Sequence, residues 1–197
     1  MELTEEDLVE AIKQTFSEFR SNELAYLALT SKIEHAFRDR LAFLLHARHF
    51  TNGYLIAREW SRVDLVALTS TGLPKSLIEL KAAYSFDLLK DNFWFTSRIA
   101  SDLVKARKLG GPDCNVYALL LLTHVAGSVA PKLHRLIKYS AGINRSIKNK
   151  SDAATVLAAA RGNISGVYAG RIVAEGECPA GDAFGLTVAV SYWLLRE

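Results

Sequence analysis

Residues 62–84, RVDLVALTSTGLPKSLIELKAAY, decide how the chain is organised. Positions 62–69 alternate and are rich in Val and Leu, Ser70-Thr71-Gly72-Leu73-Pro74-Lys75 is turn chemistry, and a second β-type run begins at Ser76. A hairpin is the economical reading. Strand side chains alternate between faces, so Glu79 and Lys81 share one face while Ile78 and Leu80 turn to the other. Asp64 enters from near the start of the partner strand. Charges in an apolar strand are costly to desolvate unless they are paired, hold a metal or border a wet cleft.

Working outward, Asn52-Gly53 marks a turn and positions 54–60, YLIAREW, read as a strand leading into the hairpin, which completes an antiparallel meander. Upstream, a helical pattern runs from the Ser21-Asn22 break to about His49 and buries Ile33, Ala36, Phe37, Leu41, Leu44 and Leu45. Downstream, a long helix is expected from Ser85, with Phe86, Leu89, Phe93, Ala100, Leu103 and Arg107 at three- and four-residue intervals. Gly110-Gly111-Pro112 ends it. Positions 115–126 form a continuous apolar run, expected to be a central strand covered on both faces. A strand–helix–strand passage over 76–126 predicts a parallel, right-handed crossover.

Asp64 followed by Glu79-Leu80-Lys81 across a short turn resembles the D…(D/E)xK signature of the PD-(D/E)XK, or restriction-endonuclease-like, nuclease superfamily. Val63 stands where the name-giving pattern has Pro. The resemblance implies an α/β fold with a restriction-endonuclease-like core, a mixed β-sheet with α-β-β-β-α-β order flanked by helices, over about residues 31–127. It implies that Asp64 and Glu79, with the backbone carbonyl of Leu80, hold a divalent metal, and that Lys81 positions or activates the attacking water. The core helix before the first strand often carries an acid directed at the metal, and Glu34 matches it in position, binding directly or through water. The plain alternative for Glu34 is a surface acid paired i, i+4 with Arg38, worth only about 0.2–0.5 kcal/mol. Mg²⁺ suits an oxygen-only set that leaves several waters on the ion, with Mn²⁺ as the other candidate.

At 197 residues the chain is read as one domain, with a helix over 5–19 that Thr4 caps, the core, and a basic extension over 131–197. The net charge of +3 conceals an uneven distribution. Acids crowd the first two dozen or so positions, whereas over 131–171 Lys132, Arg135, Lys138, Arg145, Lys148, Lys150, Arg161 and Arg171 face only Asp152. Such a segment is the footprint a phosphate backbone selects, and a solvated surface is the bland alternative. A second basic line, Lys90, Trp94, Arg98, Ser101, Lys105 and Lys108, follows one side of the helix expected from Ser85. From these, Lys90, Arg98, Lys105, Lys108, Arg145, Lys148 and Lys150 are the candidate nucleic-acid contacts. The end of the chain reads as a short helix over 131–139, a basic loop to Lys150, an Ala-rich helix over 152–161 capped by Ser151, and β-runs over 167–174 and 185–195 with a Gly/Pro-containing connection.

Other chemistries fare worse. The longest apolar run, 116–122, is far short of the ~20 residues of a membrane span. The acidic, polar N-terminus is unlike a signal peptide, so the expected location is cytoplasmic, with no membrane partner. Cys114 and Cys178 have no CxxC spacing, the histidines show no HExxH, and His124 reads as a hydrogen-bonded structural residue. No phosphate-binding glycine loop or nucleophile elbow occurs. The leading expectation is a metal-dependent DNA nuclease, a restriction- or repair-type endonuclease. The alternatives are a non-cleaving nucleic-acid-binding or assembly module of the same fold, and a structural α/β domain in which Glu79 and Lys81 form an ion pair. Duplex DNA is the favoured substrate, and cutting two strands favours a homodimer, with dependence on another protein left open.

Overall fold

The computed structural model describes residues 3–89, 93–150 and 152–197. In chain order the helices are α1 (Glu5–Ser17), α2 (Glu23–Thr30) and α3 (Glu34–His49), followed by strands β1 (Tyr54–Trp60), β2 (Val63–Thr69) and β3 (Pro74–Tyr84). Then come α4 (Phe93–Gly110), β4 (Asn115–Val125), α5 (Ser140–Lys150), α6 (Ala153–Val167), β5 (Ile172–Ala183) and β6 (Leu186–Arg196). The strands form one six-stranded mixed sheet in the order β1-β2-β3-β4-β6-β5. The meander β1-β2-β3 is antiparallel, β3 and β4 are parallel across α4, and β6 returns antiparallel between β4 and β5.

Alternation along the strands sorts the sheet into two faces. One face, carrying Leu65, Ile78, Leu80, Ala82, Leu119 and Leu121, packs against α1, α2 and α3. The other, carrying Val66, Leu77, Ala83, Leu120, Leu122 and Trp193, packs against α4 and α6. In β4 every residue after Asn115 is buried, as a strand covered on both sides requires. Glu79 and Lys81, in phase with Leu77 and Ala83, therefore lie on the α4 side.

Several local expectations change. The pattern over 23–49 is two helices, because Thr30 and Ser31 turn their hydroxyls back onto the carbonyls of Tyr26 and Leu27 and Ser31 is extended. The carbonyl of Ala28, left over at that helix end, accepts from the buried Tyr84 hydroxyl. The helix expected from Ser85 begins at Phe93, after a 3₁₀ turn over Ser85–Leu88 held by the Asp87 carboxylate on the Tyr84 N–H. Its buried stripe is Phe95, Ile99, Leu103 and Ala106, while Ala100 is exposed.

Downstream of β4, the helix expected over 131–139 is only a 3₁₀ turn, Pro131–Leu133, and the basic loop is helical as α5. Ile143 and Ser146 give α5 a buried side, and the Asn144 side chain is tied to the N–H and C=O of Val129. The α6 cap is Asp152, whose carboxylate accepts from the Thr155 N–H; Ser151 and Lys90 lie outside the described residues, as does the side chain of Trp94. Pro179 lies within β5 and not in a connection, because β5 is an edge strand whose register slips between Pro179 and Gly181. At the N-terminus Thr4 caps α1 as expected, and the cap is a full capping box, with Thr4 and Asp7 each accepting from the other's backbone N–H.

Candidate functional site

The site lies where β2 stops pairing with β3. The last paired residues there are Leu65 and Ile78, and one residue further along Asp64 and Glu79 come abreast on the α4 face. Beyond this point acids replace the missing ladder: Asp64 Oδ2 accepts from the Leu80 N–H at 2.8 Å, and Glu34 Oε2 accepts from the Ala82 N–H at 2.9 Å. A strand residue directs its N–H and C=O to the same edge, so the Leu80 carbonyl opens between these two carboxylates. Glu34 reaches this edge because it is the first residue of α3, the helix that crosses the meander. It forms this bond to β3 while Arg38 pairs elsewhere, so the i, i+4 pair is not the arrangement adopted.

Arg38 anchors the other side of Asp64. Its guanidinium, 7 % exposed, bonds Asp39 at 3.0 Å and Glu59 at 2.7 Å and stands 3.8 Å from Asp64 Oδ1. Both ends of the Asp64 carboxylate are therefore engaged, which fixes its orientation. Glu79 is 7 % exposed and within hydrogen-bonding reach of Asp64. Burial first, and the Asp64 charge second, push its pKa up to about 8, against a weaker pull from Lys81. With its pKa raised this far, Glu79 holds a proton at neutral pH unless a cation replaces it.

Lys81 is held from α4. Its Nζ lies 3.0 Å from Asp102 Oδ2, while Lys105, one turn along, lies 3.2 Å from Asp102 Oδ1. Burial draws the Lys81 ammonium downward, but the Asp102 bond and the charges of Asp102, Glu34 and Asp64 outweigh it and hold its pKa above the ordinary lysine value. The ion pair supposed between Glu79 and Lys81 is replaced by this one: among the described residues the acid bonded to Lys81 is Asp102. Asp102 was not singled out from sequence. Its signal is the Asp102–Lys105 spacing flanking the buried Ile99-Leu103-Ala106 stripe, which turns Asp102 toward the sheet.

Asp102 also divides two clefts. One, of about 450 Å³, is lined by Lys32, Glu34, Lys81, Arg98, Asp102 and Lys105. The other, of about 480 Å³, has Glu79 and Asp102 in its wall with Arg62, Lys105 and Lys108 around them. Exposed Arg98, Ser101, Lys105 and Lys108 thus border the acid cluster. Arg145, Lys148 and Lys150 are exposed on α5, which packs on α6 and the Ser85–Leu88 turn, and they line neither cleft.

No family model, curated protein or solved structure matches this chain.

The donors at the site are all oxygens: Asp64, Glu79, the Leu80 carbonyl and the Glu34 oxygen not bonded to Ala82. Among the described residues, no three His, Cys, Asp or Glu side chains converge as a ready cage. Two adjacent carboxylates, one of them kept protonated by burial and by the charge of the other, nonetheless fit an ion such as Mg²⁺, which keeps several waters and needs only one or two carboxylates. His124 has a separate role, with Nδ1 3.0 Å from the Ser85 hydroxyl in a buried pair at the end of β4. Among the described residues no helix is long and apolar enough to cross a membrane.

Proposed function

We propose that the chain is a metal-dependent nuclease of the restriction-endonuclease-like class, hydrolysing phosphodiester bonds of DNA at the Asp64–Glu79 cluster. The observation that carries this reading is the Asp64–Glu79 carboxylate pair, with Glu79 buried and pushed up to about 8, on the same sheet face as the Lys81 ammonium and against a cleft that Lys105 and Lys108 rim. A structural ion network has no use for two adjacent acids that repel each other. The helix–meander–helix–strand order of α3, β1, β2, β3, α4 and β4 supports the same class.

Asp64, Glu79 and the Leu80 carbonyl would hold the cation, with Glu34 taking part directly or through water. When bound, Mg²⁺ or Mn²⁺ supplies a water of lowered pKa and a positive charge for the phosphoryl oxygens. The chain's own groups do the rest. Glu79 would give up its proton on loading, so that both carboxylates face the cation as anions. Lys81, kept protonated by Asp102, donates to a phosphate oxygen on which charge develops. Asp64 keeps its geometry through the Leu80 N–H and Arg38.

A non-cleaving nucleic-acid-binding module remains the second reading, favoured by one observation: Lys81 is bonded to Asp102 and not directed at Glu79. Supercoiled plasmid and single-stranded DNA incubated with Mg²⁺, Mn²⁺ or EDTA separate the two. Metal-dependent cutting that vanishes in Lys81→Ala and Glu79→Ala supports the nuclease, whereas duplex binding without cutting supports the module. A homodimer is the arrangement that cuts both strands of a duplex most simply.

A further inference from the structure

Among the described residues, three of the six non-glycine residues with positive φ fall at the β1–β2 connection, which lies at the acid cluster. Trp60 pairs with Val63, so Ser61 and Arg62 alone make the turn, with φ of 52° and 73°. Positive φ at both central positions is the type I′ geometry of a two-residue hairpin, and it is ordinarily supplied by Asn-Gly. Here a serine and an arginine supply it. Glu59, just before, is a third left-handed residue, at φ 54°, and its carboxylate bonds Arg38. Non-glycine residues in this region are strained, and strain kept in place beside a polar cleft calls for a function.

What the turn delivers is Arg62. The side chain is exposed and lines the cleft of Glu79, across from Lys105 and Lys108 of α4. Among the described residues no acid lies within ion-pair distance of Arg62 or Lys108, although Glu79 and Asp102 border the same cleft. Three cations, Arg62, Lys105 and Lys108, thus border the mouth of this cleft. That arrangement favours a polyanion passing the mouth of the cleft.

We propose that Arg62 binds a backbone phosphate of the DNA strand next to the scissile one, and that the left-handed Ser61-Arg62 turn is retained to aim it there. This rests on the nuclease reading for the word scissile, but the phosphate contact can be measured without cleavage. A guanidinium grips a phosphate in a bidentate fashion, and the contact releases a counterion. It is made equally in ground and transition states, so it governs affinity and not turnover.

The test compares wild type, Arg62→Gly and Arg62→Lys in three measurements: binding of a duplex oligonucleotide in EDTA over a range of salt, steady-state cleavage in Mg²⁺, and the thermal midpoint. Arg62→Gly is expected to weaken binding about tenfold and to reduce the slope of log affinity against log salt by about 0.9. Its KM should rise with kcat within about twofold, and its midpoint should rise by about 2–4 °C as the left-handed strain is relieved. Arg62→Lys should keep the salt slope. An unchanged slope in Arg62→Gly, or a lowered midpoint, overturns the inference while leaving the nuclease intact if wild type cuts. Binding without cutting, with the slope reduced in Arg62→Gly, upholds the phosphate contact and overturns the nuclease. A wild type that neither binds nor cuts overturns both.

Discussion

The Nζ of Lys81 lies 3.0 Å from Oδ2 of Asp102, a bond that crosses from the central sheet to the helix covering it. Both side chains are about three-quarters buried, at 25 % and 22 % exposure, so the pair acts in a medium where charge counts. Asp102 keeps Lys81 charged and fixes where its stem can reach.

Asp102→Asn should therefore act through Lys81. Losing the partner lets burial draw the Lys81 pKa down, and the alkaline limb of the kcat–pH profile should move to lower pH. The stability loss should be about 1 kcal/mol. A uniform fall in activity at every pH would show that Asp102 is merely structural, and Asp102→Glu should restore the limb.

Glu79 makes the metal-free protein pH-sensitive. With its folded pKa near 8 and an ordinary value of 4.5, the folded state holds a proton that the unfolded state has released between those limits. Stability is then greatest below about pH 4.5 as far as this group is concerned, and it falls as pH rises toward 8 by at most about 1.4 kcal/mol per unit. Glu79→Gln should flatten this slope in chemical denaturation measured in EDTA. The same slope in both proteins would refute the raised pKa.

Metal binding inherits that proton. Mg²⁺ or Mn²⁺ must displace it, so apparent affinity should rise about tenfold per pH unit up to pH 8. At a hundred times the dissociation constant the folded state gains about 2.7 kcal/mol, readable as a thermal shift that is larger at pH 8 than at pH 6.5. Asp64→Asn should abolish the shift, and its persistence would place the cation elsewhere.

The basic positions should separate into two groups. Lys105→Ala with Lys108→Ala should reduce the salt slope of duplex binding by about 1.8 and raise KM. Replacing Arg145, Lys148 and Lys150 together should leave cleavage at saturating DNA unaltered, since these residues line neither cleft. If the triple variant loses more cleavage than the double, the DNA path runs along α5.

Strands β1 to β4 were legible because their signals are local, whereas β5, Ile172–Ala183, lies mostly where a connection was expected. YLIAREW carries its own boundaries and appears as β1, Tyr54–Trp60, and the unbroken apolar run becomes the doubly covered β4. The phase of Glu79 and Lys81 followed from alternation alone. What stayed hidden depends on partners distant in the chain. Phe86 and Ala100 compete with Phe95 and Ile99 as the buried stripe of the helix after β3, and only packing against β3 and β4 decides between them. That choice rotates α4 and, with it, places Asp102 at Lys81. Helix α5 escaped notice because Gly142 and its scattered lysines read as a loop until Ile143, Ser146 and the tie from Asn144 to Val129 are seen together.

The position of β4 has a consequence for how the site breathes. Ten of its eleven residues are buried, and it is bonded to β3 on one side and β6 on the other. Amides there and along the adjoining half of β3 should exchange with deuterium only when the whole sheet comes apart, whereas those of the exposed Ser61-Arg62 turn should exchange through local opening. Glu79 and Lys81 thus stand on the slowest-exchanging ground in the protein, next to a rim able to rearrange on a far shorter timescale around whatever it grips.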